Sequence, residues 1–202
     1  MFTTKLPEEF RDCLDDVPYL LEILDNYVGV FLAGGALRTL VSTDEEFSPE
    51  NTDIDLFFSD RNVANQVMKF FSENNYHKFY ECPEGKLTSF VYLENDEPKW
   101  HIQCVMVDFY PSVAAVINSF DFTVTQFGTD GDEFVMGDTS QADVLGKELK
   151  WHKITYPASS LKRLMKYARK GYYMKEEEYQ SFVNKIWEHD WNITDTRLVY
   201  VD

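Results

Sequence analysis

The stretch FLAGGALRTL (residues 31–40), together with NTDIDLFF (residues 51–58) beyond an acidic loop, decides how this chain folds. A hydrophobic run, VGVFLA, ends at Gly34 and Gly35 and passes directly into a helix-compatible segment, Ala36–Val41. A strand that turns into a helix in this way presents backbone N–H groups that can face an anion. Gly-Gly is also common in ordinary turns, so the turn does not establish a phosphate site by itself.

Two aspartates follow on the next predicted strand. Side chains alternate between the faces of a strand, so Asp53 and Asp55 project from one face while Ile54, Leu56 and Phe58 enter a core. Neighbouring carboxylates repel each other unless a cation lies between them, and oxygen ligands suit Mg²⁺ or Mn²⁺. A glycine turn facing such a pair predicts phosphoryl or nucleotidyl transfer. The alternative is a solvated strand edge that carries two acids.

The combination resembles the polymerase-beta-like nucleotidyltransferases, whose pattern is a GG or GS turn followed by DxD on the next strand. SFDFTVTQF (residues 119–127) is similar to the RRDFT segment of the CCA-adding and bacterial poly(A) polymerase branch. Pro157 and RLMKYAR (residues 163–169) resemble the P-x-R helix of the same branch. The pieces occur in the family's order between residues 28 and 170.

This resemblance implies an α+β fold, with a mixed sheet flanked by helices and a short helical C-terminal part. We expect a nucleotidyltransferase-like core over residues 1–140 and a helical segment docked on it over residues 141–202. The family's longer members carry further helical domains that hold tRNA, so we do not expect a full CCA-adding enzyme. Compact versions resemble proteins encoded by phages and other large viruses.

The resemblance also implies roles for particular residues. Asp53 and Asp55 would be catalytic and would hold Mg²⁺ or Mn²⁺. The nucleotide-binding candidates are Gly34, Gly35 and Arg38 for the phosphates, Asp121 for the sugar or base, and Arg163 and Lys166 for phosphate or base. Asp121 is equally suited to capping a turn.

Three positions and one loop depart from the family's pattern. Gln103 occupies the place where many members have a third carboxylate, and Asp108 would replace it only if the strand register slipped. Phe120 stands where the branch has arginine, and Thr39 where the motif has aspartate. The loop of residues 42–52 is longer than usual.

Charge limits the partners that the protein can bind. The chain has 19 basic and 35 acidic residues and a net charge of −16, which disfavours binding of nucleic acid over the whole surface. A local basic run is the exception: Lys162, Arg163, Lys166, Arg169 and Lys170. Such runs usually form solvated faces, but opposite an aspartate pair this one predicts contact with a triphosphate or RNA.

Three scattered cysteines indicate neither a disulfide framework nor a zinc site. The first residues lack a signal-peptide pattern and no run reaches the length of a membrane span, so we expect a cytoplasmic protein without membrane contact.

Periodicity predicts the remaining elements. They are helices over residues 8–27 (split at Pro18), 60–71, 113–120, 140–149, 159–170 and 175–191, and strands over residues 77–81, 87–93, 100–108 and 121–127, with a hairpin turn at Asp130-Gly131. We expect Ser159 or Ser160 to cap the basic helix.

The sequence therefore predicts a metal-dependent enzyme that moves a nucleoside monophosphate from an NTP to an RNA end, a small hydroxyl compound or a protein. The alternative is an inactive descendant of the fold that binds a protein partner, as a viral regulator or an acidic mimic of nucleic acid. Retention of both aspartates and both glycines argues against this alternative, since a mimic needs none of them.

Overall fold

The two stretches that flank the acidic loop pair with each other at the centre of a sheet. β2 (Val30–Ala33) lies antiparallel to β3 (Asp53–Phe58), with Leu32 opposite Leu56. On its other side, β3 runs parallel to β6 (Glu97–Val105). Residues 30–58, which contain both strands and their connection, therefore lie at the centre of the sheet. The rest of the chain adds strands and helices around them.

The computed structural model describes residues 1–188, in which we find eight strands in one sheet. The strands besides these three are β1 (Phe2–Lys5), β4 (Tyr76–Glu81), β5 (Leu87–Glu94), β7 (Phe127–Thr129) and β8 (Glu133–Met136). Their order is β1-β8-β7-β2-β3-β6-β5-β4, and only the β3–β6 pairing is parallel. This confirms the predicted α+β fold with a mixed, mainly antiparallel sheet.

Eight α-helices accompany the sheet in the same described part. They are α1 (Glu8–Asp15), α2 (Leu20–Asn26), α3 (Gly35–Val41), α4 (Arg61–Glu73), α5 (Val113–Ile117), α6 (Ser140–Leu145), α7 (Pro157–Arg169) and α8 (Glu176–Trp187). Among residues 1–188, every helix is too short or too polar to cross a membrane.

Different helices pack against the two faces of the sheet. Ile54, Leu56 and Phe58 point into the main core, to which the neighbouring strands and the helices α1, α2, α3, α4, α6, α7 and α8 also contribute side chains. Phe57 belongs to a smaller cluster on the opposite face, where α5 packs through side chains such as Val116. The alternation predicted for β3 is thus present, and α5 leaves part of this second face accessible.

Several local predictions are confirmed. The first helical region is split around Pro18, and the helix predicted from residue 60 is present as α4, which Asp60 caps by accepting the backbone N–H groups of Asn62 and Val63 at 2.7 and 3.1 Å. Asp130 and Gly131 lie in the turn between β7 and β8. These features were predictable because each depends on residues that are close in sequence.

Other predictions are wrong. Residues 121–127 were expected to form a strand, but Thr123–Thr125 is a 3₁₀ turn and β7 begins only at Phe127. The Thr125 hydroxyl donates to the Phe122 carbonyl at 2.9 Å, and this local bond competes with an extended backbone. β1 was not predicted, because its four residues are all exposed and show no alternation of polarity.

The helical C-terminal part also differs in its boundaries. α7 begins at Pro157 with Tyr156 as its N-cap residue, so neither Ser159 nor Ser160 is the cap. Proline suits this first position because its missing N–H is not needed there. The helix predicted over residues 175–191 extends beyond the described residues, and the division at residue 140 stays a prediction.

Removal of a core side chain from β3 should destabilise the fold strongly. Leu56 is fully buried beside the two aspartates, and we expect Leu56→Ala to lower the free energy of unfolding by about 2–5 kcal/mol. Val28→Ala, at a side chain that is 94% exposed, should change it by less than about 0.5 kcal/mol. Urea denaturation of both variants measures the difference, and equal midpoints would contradict this description of the core.

Candidate nucleotide-binding cleft

The glycine turn forms one end of a cleft on the second face of the sheet. Gly34 has φ 91° and ψ −130°, a conformation that residues with a side chain rarely adopt. Its N–H donates to the Phe127 carbonyl at 2.9 Å. An anion would therefore bind the N–H groups that follow in the first turn of α3, where a helix has no internal acceptors.

Asp55 lies in the floor of this cleft and is only 5% exposed. Phe57, Val105 and Val107 line the floor beyond it. The parallel register pairs Asp55 with Gln103, so the uncharged glutamine is its neighbour on β6. A buried carboxylate in an apolar floor needs a compensating positive charge or hydrogen bonds.

The other predicted acids lie farther out. Asp53 is exposed at the start of β3 and lines a separate depression together with Glu50, Glu97 and His101. Asp108 follows β6 and lies at the exposed rim of the cleft itself. Of the two aspartates on β3, the structure thus brings Asp55 into the cleft, while Asp53 lies two residues nearer to solvent.

The first turns of α7 form the opposite wall. Arg163 Nη1 and Ser160 Oγ each donate to Asp121 Oδ2 at 2.9 Å. Asp121 is buried, and all three residues line the cleft. The structure therefore brings Asp121 and Arg163 together with the glycine turn and Asp55.

Some lining residues were missed by the sequence analysis. Lys153 and Tyr156 precede α7, and Tyr110 follows β6. No motif marks them, because they reach the cleft only through the packing of distant segments. Ser160 was considered only as a helix cap, although its place three residues before Arg163 puts both on one helical face.

Two other candidates do not reach the cleft. The Arg38 side chain is buried at 2% exposure and donates through Nη2 to Glu45 Oε2 at 2.8 Å. Its guanidinium lies 5.8 Å from the ring centroid of Tyr167 and 5.9 Å from that of Tyr172. Lys166 lies on α7 but not among the lining residues. Arg38 is therefore part of the protein interior.

A metal site can be judged from the same side chains. Within residues 1–188, no cluster of three or more histidine, cysteine, aspartate or glutamate side chains is arranged to hold a metal ion. Asp53 and Asp55 nevertheless offer hard oxygen ligands from one strand face. Carboxylate oxygens are the type of ligand that Mg²⁺ takes in nucleotide sites, where phosphate and water usually supply its other ligands.

Comparison with solved structures defines the class of fold. A CCA-adding enzyme in complex with ATP matches 93% of this chain with a TM-score of 0.69 and 12% sequence identity. The Thermotoga maritima CCA-adding enzyme complexed with tRNA matches 92% with a TM-score of 0.64 and 10% identity. The chain spans 47% and 46% of these proteins, about half their length. At such identities the likeness shows a nucleotidyltransferase-like fold.

The family is defined by sequence. The profile of Gad2, the Gabija anti-defense 2 family, matches residues 2–147. That is more than half of the chain, which therefore belongs to the Gabija anti-defense 2 family. A search of curated proteins found no match.

The Arg38–Glu45 pair should make stability depend on acidity. Burial raises the pKa of the Glu45 carboxyl, but hydrogen bonds and charges from Arg38 and Lys170 outweigh burial and hold it at about 2, below its usual 4.5. A lowered pKa adds stability above the unfolded-state pKa, and this stability is lost as the pH falls towards the folded-state pKa. The advantage of the wild type over Glu45→Gln should be complete above pH 4.5 and vanish near pH 2.

Urea denaturation between pH 7 and pH 2 checks this expectation. Glu46→Gln removes the same charge from an exposed neighbour and serves as the control, which should stay close to the wild type throughout. An advantage that is independent of pH would show that the Glu45 charge is not responsible.

Proposed function

We propose that this protein is a divalent-metal-dependent nucleotidyltransferase whose reaction takes place in the cleft. The observation that carries the proposal is the convergence of a buried carboxylate, Asp55, with the Gly34-Gly35 turn and Arg163 in one cavity. An acid that can hold a metal and groups that can bind phosphate lie in one cleft of a nucleotidyltransferase-like fold. These are the groups that binding and reaction of an NTP require.

The phosphates of the NTP would lie between the two walls. On one side are the first N–H groups of α3, and on the other is the N-terminus of α7, where the helix dipole favours negative charge. Lys153 and Arg163 add formal positive charge at that wall. Asp121 accepts a 2.9 Å hydrogen bond from the Arg163 guanidinium and so holds it in one orientation. The guanidinium is therefore already ordered before a phosphate or base binds.

Asp53 and Asp55 are the residues that would hold Mg²⁺ or Mn²⁺. Such an ion, when bound with the nucleotide, lowers the pKa of an attacking hydroxyl and offsets charge on the departing pyrophosphate. Gln103 adds no charge beside Asp55, so we expect the ion to bind tightly only together with the triphosphate.

We expect the acceptor to belong to one of three classes: an RNA 3′ end, a small hydroxyl compound or a protein side chain. The name of the family supports a narrower setting, in which the transfer counteracts the Gabija defence. We infer that the protein is encoded by a phage and acts in the cytoplasm of the infected cell, where the components of a bacterial defence would be its targets.

Removal of the Asp55 charge should abolish transfer. We expect Asp55→Asn to lower the transfer of label from α-labelled ribonucleotides by at least about a hundredfold, because the metal would lose its buried anionic ligand and the phosphates would lose the cation that neutralises them. The assay offers four NTPs, Mg²⁺ or Mn²⁺, total RNA and a cell extract. Asp12→Asn, an exposed acid on α1, is the matched control and should behave as the wild type does.

The destination of the label identifies the acceptor class. If wild-type protein that is shown to be folded transfers no label to any fraction, the enzymatic proposal fails for these acceptors.

A second candidate function is binding of a protein partner without catalysis. Gln103, in the place of a third carboxylate, and the net charge of −16 favour it. Such a protein would block its partner by occupying a basic surface, and the cleft would be a remnant.

Protection of phage growth in cells that carry Gabija separates the two candidates. If transfer is the function, Asp55→Asn should lose the protection while Asp12→Asn retains it, at equal protein levels measured by immunoblot. Full protection by Asp55→Asn would instead refute transfer as the function and favour the binding of a protein partner.

A further inference from the structure

Behind the cleft lies a partly buried ionic cluster centred on Glu45. Glu45 belongs to the loop between α3 and β3, and its side chain is 18% exposed. Arg38 on α3 donates to both of its carboxylate oxygens and also to the Tyr172 hydroxyl at 3.3 Å. A loop residue thereby forms an ion pair with two hydrogen bonds. This geometry fixes both the position and the orientation of the Glu45 carboxylate relative to the Arg38 guanidinium.

The same carboxylate binds two lysines from other elements. Lys170, directly after α7, donates from Nζ to Glu45 Oε2 at 2.8 Å. Lys147, after α6, lies 3.6 Å from Oε1 and also pairs with Asp44 at 2.8 Å. Glu45 therefore joins α3, α7 and the end of α6, and it compensates cations that would otherwise repel one another.

This cluster is connected to both walls of the cleft. α3 begins at Gly35, which lines the cleft, and α7 carries Arg163 and Tyr167, which line it from the other side. The Arg38 guanidinium lies against the Tyr167 ring, so the cluster touches the back of the cleft wall. Glu45 therefore links α3, through Arg38, with the end of α7, through Lys170.

We propose that Glu45 is a positioning residue, which fixes α7 against α3 and thereby sets the distance between the phosphate-binding turn and Arg163; this rests on the proposed function. The elements that it joins are far apart in sequence, and the loop that carries it is the acidic insertion between the glycine turn and the aspartates. A reacting group displaced by about 1 Å can lose about a hundredfold in rate. Glu45 therefore acts on catalysis through Arg163 without touching the nucleotide.

The most specific test removes only the contact between Glu45 and the end of α7. Lys170→Gln leaves the Arg38–Glu45 pair intact, and Lys69→Gln removes an equal charge from an exposed position on α4, outside the basic run. We expect Lys170→Gln to lower kcat by about 10- to 100-fold, with less than about a threefold change in the Kd for the NTP. The melting temperature should stay close to that of Lys69→Gln. Equal kcat values in the two variants, or a loss that follows the unfolded fraction, would overturn the proposal.

Hydrogen exchange supplies a readout that does not depend on activity. Amides of residues 160–167 should exchange at least about tenfold faster in Lys170→Gln, and in Glu45→Gln if that variant folds, while those of α4 stay unchanged. If the wild type is inactive, the proposed function fails, but faster exchange would still show that Glu45 holds α7. If the wild type is active and exchange in α7 is unaltered, the positioning role is refuted and the proposed function stands.

Discussion

The register of β3 between β2 and β6 is the constraint on which the site depends. Because side chains alternate, a shift of one residue would turn Asp55 into the main core and Leu56 into the cleft. Pairing of Leu32 with Leu56 on one side and of Asp55 with Gln103 on the other fixes this register. The same alternation that builds the core therefore presents the acid, and the core's apolar side chains oppose any slip.

Around this strand the cleft is completed by contacts between distant segments. Asp121 precedes a 3₁₀ turn and accepts bonds from Ser160 and Arg163, some forty residues later in the chain. The outcome is a wall in which the Arg163 charge is paired with Asp121 and Lys153 adds a further cation, in a protein with a net charge of −16. Local concentration of cations is the way in which so acidic a chain can bind an anion.

The predictable part of this structure is the local part. The β2–α3–β3 unit follows from alternation, a glycine turn and a polar loop, all within thirty residues. Arg38 shows why the rest was not predictable: beside the glycine turn it resembles a phosphate ligand, yet Glu45 binds it in the interior. Its other neighbours, Tyr167 and Tyr172, come from the far end of the chain, and no local pattern indicates that they will meet it.

Asp55 also bears on the choice between an enzyme and a passive binder. A carboxylate that is only 5% exposed keeps its charge where hydrogen bonds or positive charge offset the loss of hydration. The cleft that contains Asp55 also contains Lys153 and Arg163 on its opposite wall, so an acid and two basic side chains line one cavity. Under the proposed enzymatic function, a metal bound to the triphosphate would join these two kinds of charge. A passive binder that acts through its acidic surface makes no use of an acid at the bottom of a cleft.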